Sequence, residues 1–331
     1  MDLVAPAGSP GSLKAALEAG ADAVYLGLRD ATNARNFPGL NFAPAQLHEV
    51  VETAKRFQAQ IYVAINTYAR AGKWADWKAA VDQAAEANVS ALIAADLAVL
   101  GYASRTYPDL RLHLSVQASA TNWRALRLYR DLFNIRRAVL PRVLSLTQIA
   151  RLAEHDVVPL EVFGFGSLCI MAEGRCLLSS YACGHSPNNY GACSPAESVA
   201  WIPTPGGLET RVAGILIDRF APEEAAGYPT ICKGRFRVEN RIRHVFEEPT
   251  SLNTLDILPK LAALGIEAIK LEGRQRSPAY IAQVVRTWRA ALDACQRDPV
   301  HFVPESAWVQ ALGKLSEGQQ TTLGAYARVW R

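Results

Sequence analysis

Short apolar runs alternate with longer amphipathic stretches along most of this chain. The first apolar run, residues 3–7, precedes a Gly-Ser-Pro sequence in which Ser9 suits a helix N-cap and Pro10 the first helical turn. Gly20 suits the position just after that helix ends, and a second apolar run begins at Ala23. This opening pattern predicts a strand, a helix and a second strand in succession.

The same pattern recurs until eight strands are predicted. They fall at residues 3–7, 23–28, 61–66, 91–96, 112–116, 138–141, 160–165 and 266–272. Further helical patterns fall at 44–58, 73–87, 97–105, 122–132, 146–154, 252–264, 278–296 and 305–313. Strands that alternate with helices favour parallel pairing through right-handed crossovers. We therefore predict an α/β fold, a TIM-like (β/α)₈ barrel, with a doubly wound open sheet as the alternative.

The longest interruption of this pattern lies between the seventh and eighth predicted strands. Residues 167–250 carry five of the six cysteines, many Gly, Pro, Ser and Asn residues, and β-like stretches at 198–202 and 214–218. Active sites of the barrel fold lie at the C-terminal ends of the strands, so we expect this cysteine-bearing insertion there. The predicted domains are 1–297 for the barrel, including the cysteine-rich segment 167–250, and 298–331 for a C-terminal helix and tail.

Composition and charge narrow the class of protein. Apolar residues make up 50% of the chain and charged residues 20%, which is typical of a globular protein. A net charge of +4 is too small for a general nucleic-acid or membrane coat, although a local basic site remains compatible with it. The most apolar stretch, 91–103, is interrupted by Asp96 and is shorter than the ~20 residues that span a bilayer. We expect a cytoplasmic protein, where reduced cysteines serve as metal ligands or reactive groups.

Polar residues follow most of the predicted strands at the point where each strand ends. They are Asn33 and Arg35, Asn66 and Thr67, Asp96, Gln117 and Ser119, Arg142, and Arg274 and Arg276. Any one of them could be an ordinary loop residue or helix cap, but together they predict a polar pocket at the barrel mouth. Strand alternation places His113, Ser115 and Gln117 on one face, and Lys270, Glu272 and Arg274 on another. We predict that both polar faces point into the barrel.

These residue types indicate particular roles. Arginine suits bidentate recognition of carboxylates and phosphates, so Arg142, Arg274 and Arg276 are predicted to hold an anion. Lys270 and Glu272 equally fit an internal ion-pair network that only fills the lumen. The candidate proton-transfer residues are His113, Gln117 and Glu272, and the candidate substrate-binding residues are Arg35, Asn66, Arg142, Arg274 and Arg276.

The cysteines between the seventh and eighth strands lack a diagnostic spacing, since none forms a CxxC pair. Their loop context favours three alternatives: a zinc site, an iron–sulfur cluster, or a single nucleophilic thiol near His185. Cys295 lies in a helical run and is predicted to be a packed structural thiol. Five loop cysteines exceed the four that a cluster or a zinc ion needs, and spacing alone does not choose among them.

Two long motifs carry a family resemblance. The sequences EVFGFGSLC at 161–169 and GRCLLS at 174–179, with KLEGRQRSPAY at 270–280, resemble the signature of the collagenase-like U-type peptidase family. The resemblance covers nearly the whole chain. Within the family, the chain is similar to the ubiquinone-biosynthesis branch at five further stretches: TNAR at 32–35, SVQASATN at 115–122, VLPRVLS at 139–145, EPTSLNT at 248–254 and QTTLGAY at 320–326.

The resemblance implies a cofactor and partners. It implies a [4Fe–4S] cluster held by Cys169, Cys176, Cys193 and Cys232, with Cys183 as the spare cysteine. It further implies a heterodimer with a homologous protein, a lipid-binding accessory protein of the ubiquinone pathway, and oxygen-independent hydroxylation of ubiquinone precursors. Relatives that hydroxylate RNA bases take the oxygen atom from prephenate, a dicarboxylate that fits the predicted arginine-rimmed mouth.

Other functions remain as alternatives. Peptidase activity fits the sequence poorly, because it contains no HExxH motif and no evident triad. A non-catalytic iron–sulfur or zinc scaffold subunit would need the cysteines but not the arginines. A nucleic-acid substrate is not expected, since the chain shows no concentrated basic stripe.

Overall fold

The computed structural model describes residues 1–328. In chain order its strands are β1 (Asp2–Pro6), β2 (Ala23–Gly27), β3 (Gln60–Ile65), β4 (Ala91–Ala94), β5 (Leu112–Leu114), β6 (Ile135–Val139), β7 (Leu160–Ser167), β8 (Val199–Thr204), β9 (Gly207–Val212), β10 (Ile215–Phe220), β11 (Arg235–Val238), β12 (Arg241–His244), β13 (Ser251–Asn253), β14 (Ala268–Leu271) and β15 (Thr321–Thr322). The α-helices are α1 (Pro10–Glu18), α2 (Leu47–Lys55), α3 (Trp74–Glu86), α4 (Leu97–Thr106), α5 (Trp123–Phe133), α6 (Leu146–Ala153), α7 (Leu178–Cys183), α8 (Pro187–Tyr190), α9 (Leu258–Ala263), α10 (Pro278–Arg297) and α11 (Ser306–Leu315).

Eight parallel strands close into a barrel. Strands β1 to β7 follow one another around it, and β14 pairs with both β1 and β7. The first and last strands of the series are therefore joined through β14, which an open sheet does not allow. The predicted TIM-like barrel is confirmed, and the doubly wound alternative is wrong.

The helix ends follow the local signals in the sequence. Ser9 accepts a hydrogen bond from the backbone N–H of Ser12 at 3.2 Å, and Pro10 occupies the first turn of α1. Gly20 adopts a φ of 93° just beyond that helix, a conformation that favours glycine. At the start of α6, Ser145 and Gln148 form a reciprocal capping box. These local capping signals mark where helices begin and end, which is why the sequence predicts the alternation of strands and helices.

Two apolar layers result from the alternation of side chains along each barrel strand. The outer layer lies between the strands and the helices and includes the fully buried Trp77 and Trp288. The inner layer lies in the lumen and includes Tyr25 and Tyr62 among small aliphatic side chains. The lumen below the barrel mouth is thus a packed core, as in other barrels of this type.

Two predicted elements differ from the structure. The helix predicted over 252–264 begins with strand β13, which pairs antiparallel with β7, and only Leu258–Ala263 is α-helical. Strand β6 begins at Ile135, three residues before its predicted start. Its first half carries Arg136 and Arg137, and the guanidinium of Arg137 is buried in the lumen beside acidic side chains.

The segment between β7 and β13 forms two small sheets of its own. Strands β8, β9 and β10 form an antiparallel sheet, and β11 pairs with β12. Strand β15 then pairs with β13, which brings the C-terminal segment beside the barrel. Residues 329–331 of the predicted tail lie outside the described residues. Within residues 1–328 no helix is both long and apolar enough to cross a membrane. The predicted domain bounds stay a prediction.

Candidate functional site

A polar cavity opens at the C-terminal ends of the barrel strands. All the space between its atoms, including the open solvent at its mouth, amounts to about 530 Å³, but the centre of a water-sized sphere reaches only about 50 Å³ of it. The cavity is lined by six residues that strand-end reasoning singled out: Arg35, Asn66, Gln117, Arg142, Glu272 and Arg274. Lys270, Ser115, Tyr25 and Phe163 also contribute to its walls. The prediction that both polar faces point into the barrel agrees with this geometry, since Ser115, Gln117, Lys270, Glu272 and Arg274 line the cavity and His113 lies deeper in the lumen.

The loop after β2 forms one wall of this cavity. Arg274 donates hydrogen bonds to the side-chain oxygen of Asn33 at 3.0 Å and to the carbonyl of Ala34. Asn66 accepts a hydrogen bond from the backbone N–H of Ala34 at 2.9 Å. Arg35 then adopts a φ of 101°, which a residue with a Cβ rarely does. The loop therefore holds a strained conformation that its neighbours over-determine.

Arg142 and Glu173 form a buried ion pair at the cavity wall. The Nε atom of Arg142 lies 2.8 Å from an oxygen of Glu173, and both side chains are almost fully buried. The guanidinium also packs over the ring of Phe163, 4.5 Å from its centroid, and donates to the carbonyl of Ser167. Sequence reasoning missed Glu173, whose only signal was its place in the cysteine-rich loop beside the GRCLLS motif.

Arg274 differs from the other cations of the cavity. Its side chain is 5% exposed, and within residues 1–328 no carboxylate lies within 4.0 Å of it. Burial, together with the nearby charge of Arg35, lowers the pKa of Arg274 to about 10 although Tyr25 and Glu272 oppose the shift. By contrast, Arg35 faces Glu272 at 3.7 Å, Arg142 faces Glu173, and Lys270 faces Glu161. The cavity thus carries one positive charge that no carboxylate neutralises.

Glu272 is ionised in this arrangement. Burial alone would raise its pKa, but Arg35, Arg142 and Arg276 hold the pKa of Glu272 below its usual value. The carboxylate also accepts a hydrogen bond from the backbone N–H of Ser167 at 3.3 Å. Glu272 can therefore accept a proton within the cavity but is a poor donor at neutral pH.

Lys270 lies at the floor of the cavity. Its Nζ is 2.7 Å from Glu161 and 3.9 Å from the centroid of the Tyr25 ring. Glu161 is fully buried and also lies 3.5 Å from Arg137. Lys270 therefore belongs to an internal ion-pair network, but with Glu161 rather than with Glu272.

Two predicted site residues lie away from the cavity. His113 is fully buried in the lumen against the ring of Tyr62, and neither ring nitrogen has a hydrogen-bond partner within residues 1–328. Burial and the nearby cations hold its pKa well below the usual value, so the ring is neutral. Arg276 is 39% exposed and pairs with Glu317 of the C-terminal segment at 3.2 Å instead of lining the cavity. The geometry therefore favours neither His113 for proton transfer at the mouth nor Arg276 as a direct anion ligand.

Four of the loop cysteines lie close enough to influence one another's charge. The pKa of Cys193 is raised to about 11, chiefly by burial; Arg35 opposes this shift, and Cys169, Cys176 and Cys232 add to it. Burial likewise raises the pKa of Cys232, with Cys169 and Cys176 contributing. Cys183 lies at the C-terminal end of α7.

The cysteines and the cavity occupy the same end of the barrel. Cys169 follows β7 directly, and its pKa is raised by burial while Arg142 lowers it. All six cysteines are free thiols, and Cys295 is buried in the core on α10, as predicted. Within residues 1–328, no three His, Cys, Asp or Glu side chains converge closely enough to hold a single metal ion.

The fold and this site define a (β/α)₈ barrel protein whose C-terminal mouth combines a cationic cavity with a group of interacting thiols. The chain belongs to Peptidase family U32, whose sequence model matches residues 8–326. This match confirms the family resemblance of the motifs at 161–179 and 270–280.

Comparison with known proteins gives named relatives. The chain is 30% identical over 325 residues to "tRNA hydroxylation protein P1" of Bacillus subtilis (strain 168), covering 97% of this chain and 70% of that protein. It is 29% identical over 304 residues to "Collagenase" of Porphyromonas gingivalis (strain ATCC BAA-308 / W83), covering 88% of this chain and 66% of that protein. The chain thus spans about two thirds of the length of these relatives.

A solved structure supports the fold. The U32 peptidase Mk0906 aligns with a TM-score of 0.51 and 13% identity, covering 84% of this chain and 94% of that chain. At this identity the likeness concerns the fold alone.

Proposed function

We propose that this chain is the iron–sulfur subunit of an oxygen-independent hydroxylase of ubiquinone biosynthesis, of the UbiU type. In this proposal it acts as a heterodimer with a UbiV-type homologue, together with the lipid-binding accessory protein of the pathway. The observation that carries the proposal is that Arg35, which lines the cavity, also donates its N–H to the carbonyl of Gly191, two residues before Cys193. Cys169, Cys176 and Cys232 in turn influence the pKa of Cys193. Relatives named for hydroxylation agree with a hydroxylase role.

The donor set fits a [4Fe–4S] cluster. Such a cluster is held by four thiolates, one on each iron, whereas zinc needs its sulfurs about 2.3 Å from one point. Cys169, Cys176 and Cys232 lie near enough to Cys193 to raise its pKa, although within residues 1–328 no three His, Cys, Asp or Glu side chains form a site for a single metal ion. Cys169, Cys176, Cys193 and Cys232 would therefore hold the cluster. When bound, it supplies one-electron chemistry at an iron site next to the cavity.

The cavity fits an anionic oxygen donor such as prephenate. Arg274 offers a buried charge without a carboxylate partner, and the guanidinium of Arg35 donates no hydrogen bond to any described residue. One carboxylate of a ligand could thus pair with Arg274, and a second could accept hydrogen bonds from the guanidinium of Arg35. Asn66 and Gln117 would orient the ligand, and Glu272 would accept a proton.

The cluster is tested by anaerobic purification of the full chain, with counts of iron and sulfide and an absorbance spectrum. We expect about four irons per chain. Cys169→Ala should lose the iron, whereas the matched variant Cys183→Ala should retain it. Colourless, iron-free and folded wild-type protein would refute the cluster, and equimolar zinc would favour the scaffold alternative.

The substrate is tested by reconstitution with a UbiV-type partner, prephenate and a ubiquinone precursor in the absence of oxygen. We expect hydroxylated product to require prephenate and to be lost in Arg274→Met. Normal turnover in Arg274→Met would instead favour a non-catalytic subunit.

Two relatives motivate direct alternatives. The names "tRNA hydroxylation protein P1" and "Collagenase" call for incubation with tRNA and with gelatin under the same conditions. Hydroxylated tRNA nucleosides or released peptides, with no ubiquinone product, would replace the proposed substrate.

A further inference from the structure

Arg35 lies between the cavity and the cysteine-rich segment, and its backbone joins the two. Its N–H donates a hydrogen bond to the carbonyl of Gly191 at 2.7 Å, two residues before Cys193. Its own carbonyl accepts a hydrogen bond from the side chain of Asn41 at 2.9 Å. Gly191 contacts the loop so closely that a Cβ there would clash with the carbonyl of Asn33. The strained φ of 101° is thus fixed from both sides.

The guanidinium of Arg35 has hydrogen-bond donors without acceptors among the described residues. The side chain is 25% exposed and lines the cavity with Glu272, from which its Nε is 3.7 Å away, beyond hydrogen-bond distance. Within residues 1–328 no oxygen accepts a hydrogen bond from this guanidinium, although it carries five N–H donors. Arg142, in contrast, is engaged by Glu173 and Ser167.

The electrostatic surroundings of Arg35 include both sites. Burial would lower the pKa of Arg35, but Cys193, Glu272 and Cys169 raise it, and a guanidinium stays protonated in proteins in any case. A permanent cation at this point stabilises negative charge on the cysteine side and attracts an anion on the cavity side. A reduced iron–sulfur cluster carries one more negative charge than the oxidised form, so a nearby cation favours reduction.

We infer that Arg35 is a positioning residue shared by the cysteine set and the cavity, where it raises the reduction potential of the cluster and contributes to anion binding. The inference rests on the proposed function. Because the side chain of Arg35 serves both sites, one substitution changes two separately measurable properties.

The test uses the full chain loaded with its cluster, in four versions: wild type, Arg35→Gln, Arg35→Lys and Arg130→Gln. Arg130 is an exposed arginine at the opposite end of the barrel and is the matched control. The midpoint potential is measured by anaerobic redox titration, and prephenate affinity by calorimetry on the oxidised protein. Iron content is measured first, so that only equally loaded samples are compared.

Arg35→Gln should show a lower midpoint potential and an affinity weaker by on the order of tenfold or more, as for loss of a hydrogen bond to a charged group. Each tenfold change in the one-electron equilibrium appears as a shift of about 59 mV. Arg35→Lys should restore most of both properties, and Arg130→Gln should match wild type.

Several results would overturn the inference. A change in only one of the two properties makes Arg35 a residue of one site, and no change in either removes it from both, while the proposed function stands. Iron-free wild type refutes the proposed function and the inference together. Where Arg35→Gln fails to fold, Glu272→Gln replaces it: removing this carboxylate frees the charge of Arg35 and should raise the potential, and an unchanged potential contradicts the inference.

Discussion

The buried pair of Lys270 and Glu161 beneath the cavity predicts an asymmetric response to substitution. Glu161→Gln leaves Lys270 buried, with no carboxylate within 4.0 Å among the described residues. Lys270→Met instead leaves Glu161 beside Arg137, 3.5 Å away. Both single variants remove the contact between Lys270 and Glu161, but Glu161→Gln also removes the one between Glu161 and Arg137. The difference between the variants therefore reflects both the charge that is left behind and this second contact.

The distances set the magnitudes. At an effective dielectric constant of about 20, opposite charges at 2.7 Å attract by ~6 kcal/mol, and at 3.5 Å by ~5 kcal/mol. Burial penalties of several kcal/mol for each ion offset most of this attraction. We therefore expect Glu161→Gln to lower the free energy of unfolding by about 3–5 kcal/mol, because it strands a buried charge. Lys270→Met should lower it by about 1–3 kcal/mol, since Arg137 still compensates Glu161.

The assay is urea unfolding followed by circular dichroism, with the double variant completing the cycle. The double variant should lose less free energy of unfolding than the two single variants lose together, by about 0.5–3 kcal/mol. Equal costs for the single variants, or strict additivity, would refute the reasoning from these distances.

The pH dependence supplies an independent check on the same pair. Burial lowers the pKa of Lys270 in the folded protein, and Glu161 opposes that shift. In Glu161→Gln the folded pKa falls further, so between that pKa and about 10.4 the unfolded chain binds the proton that the folded chain does not. Stability should therefore rise with pH across this window, and more steeply than in wild type. A fall with pH would contradict the assignment of Lys270 as the stranded charge.

Three further predictions concern the mouth of the barrel. The free energy of unfolding of Arg35→Gly should exceed that of Arg35→Ala by about 1 kcal/mol, because only glycine adopts a φ of 101° without strain. Equal urea midpoints for the two variants would argue against strain at this position. Glu173→Gln should destabilise by about 3–5 kcal/mol by stranding Arg142, whereas the exposed Glu248→Gln should change the free energy of unfolding by less than about 0.5 kcal/mol. In reduced, cluster-free protein, alkylation of Cys193 followed by mass spectrometry should accelerate with pH up to about 11, and a plateau near pH 9 would contradict its raised pKa.

The barrel was predictable because its signals are local. Strand alternation and helix capping act over a few residues, as at Ser9 and Ser145. The sequence pattern predicts helix where strand β13 lies, because the strand is supported by pairing with β7 and β15, whose partner residues Gly166 and Thr322 lie far away in the sequence. The start of β6 differs for a similar reason, since an inward-facing charged residue such as Arg137 fits a barrel strand only beside carboxylates from other strands and loops, here Asp2, Glu161 and Glu267.

The candidate site was predictable only as far as strand ends determine it. Arg35, Asn66 and Arg274 line the cavity because the C-terminal ends of parallel barrel strands meet there. The arginine partners could not be read in the same way, because loops decide them. Glu173 reaches Arg142 through the fold of the cysteine-rich loop, and Glu317 reaches Arg276 from the C-terminal segment.

The cysteine-rich segment is attached to the barrel through the ends of different strands. The attachments join the Arg35 N–H to the carbonyl of Gly191 (2.7 Å), the Tyr68 N–H to the carbonyl of Asn188 (2.9 Å), and the Ser119 hydroxyl to the carbonyl of Glu173. The segment 167–250 contains only the acceptor of each of these hydrogen bonds, because the donors belong to the barrel. We therefore expect the four cysteines to come together only after the barrel has closed. Under the proposed function, cluster assembly then depends on barrel stability, and a variant such as Glu161→Gln should lose iron in proportion to its unfolded fraction. Cys169→Ala, in contrast, should lose iron while the barrel stays folded, which separates a ligand from a residue that only supports the ligands.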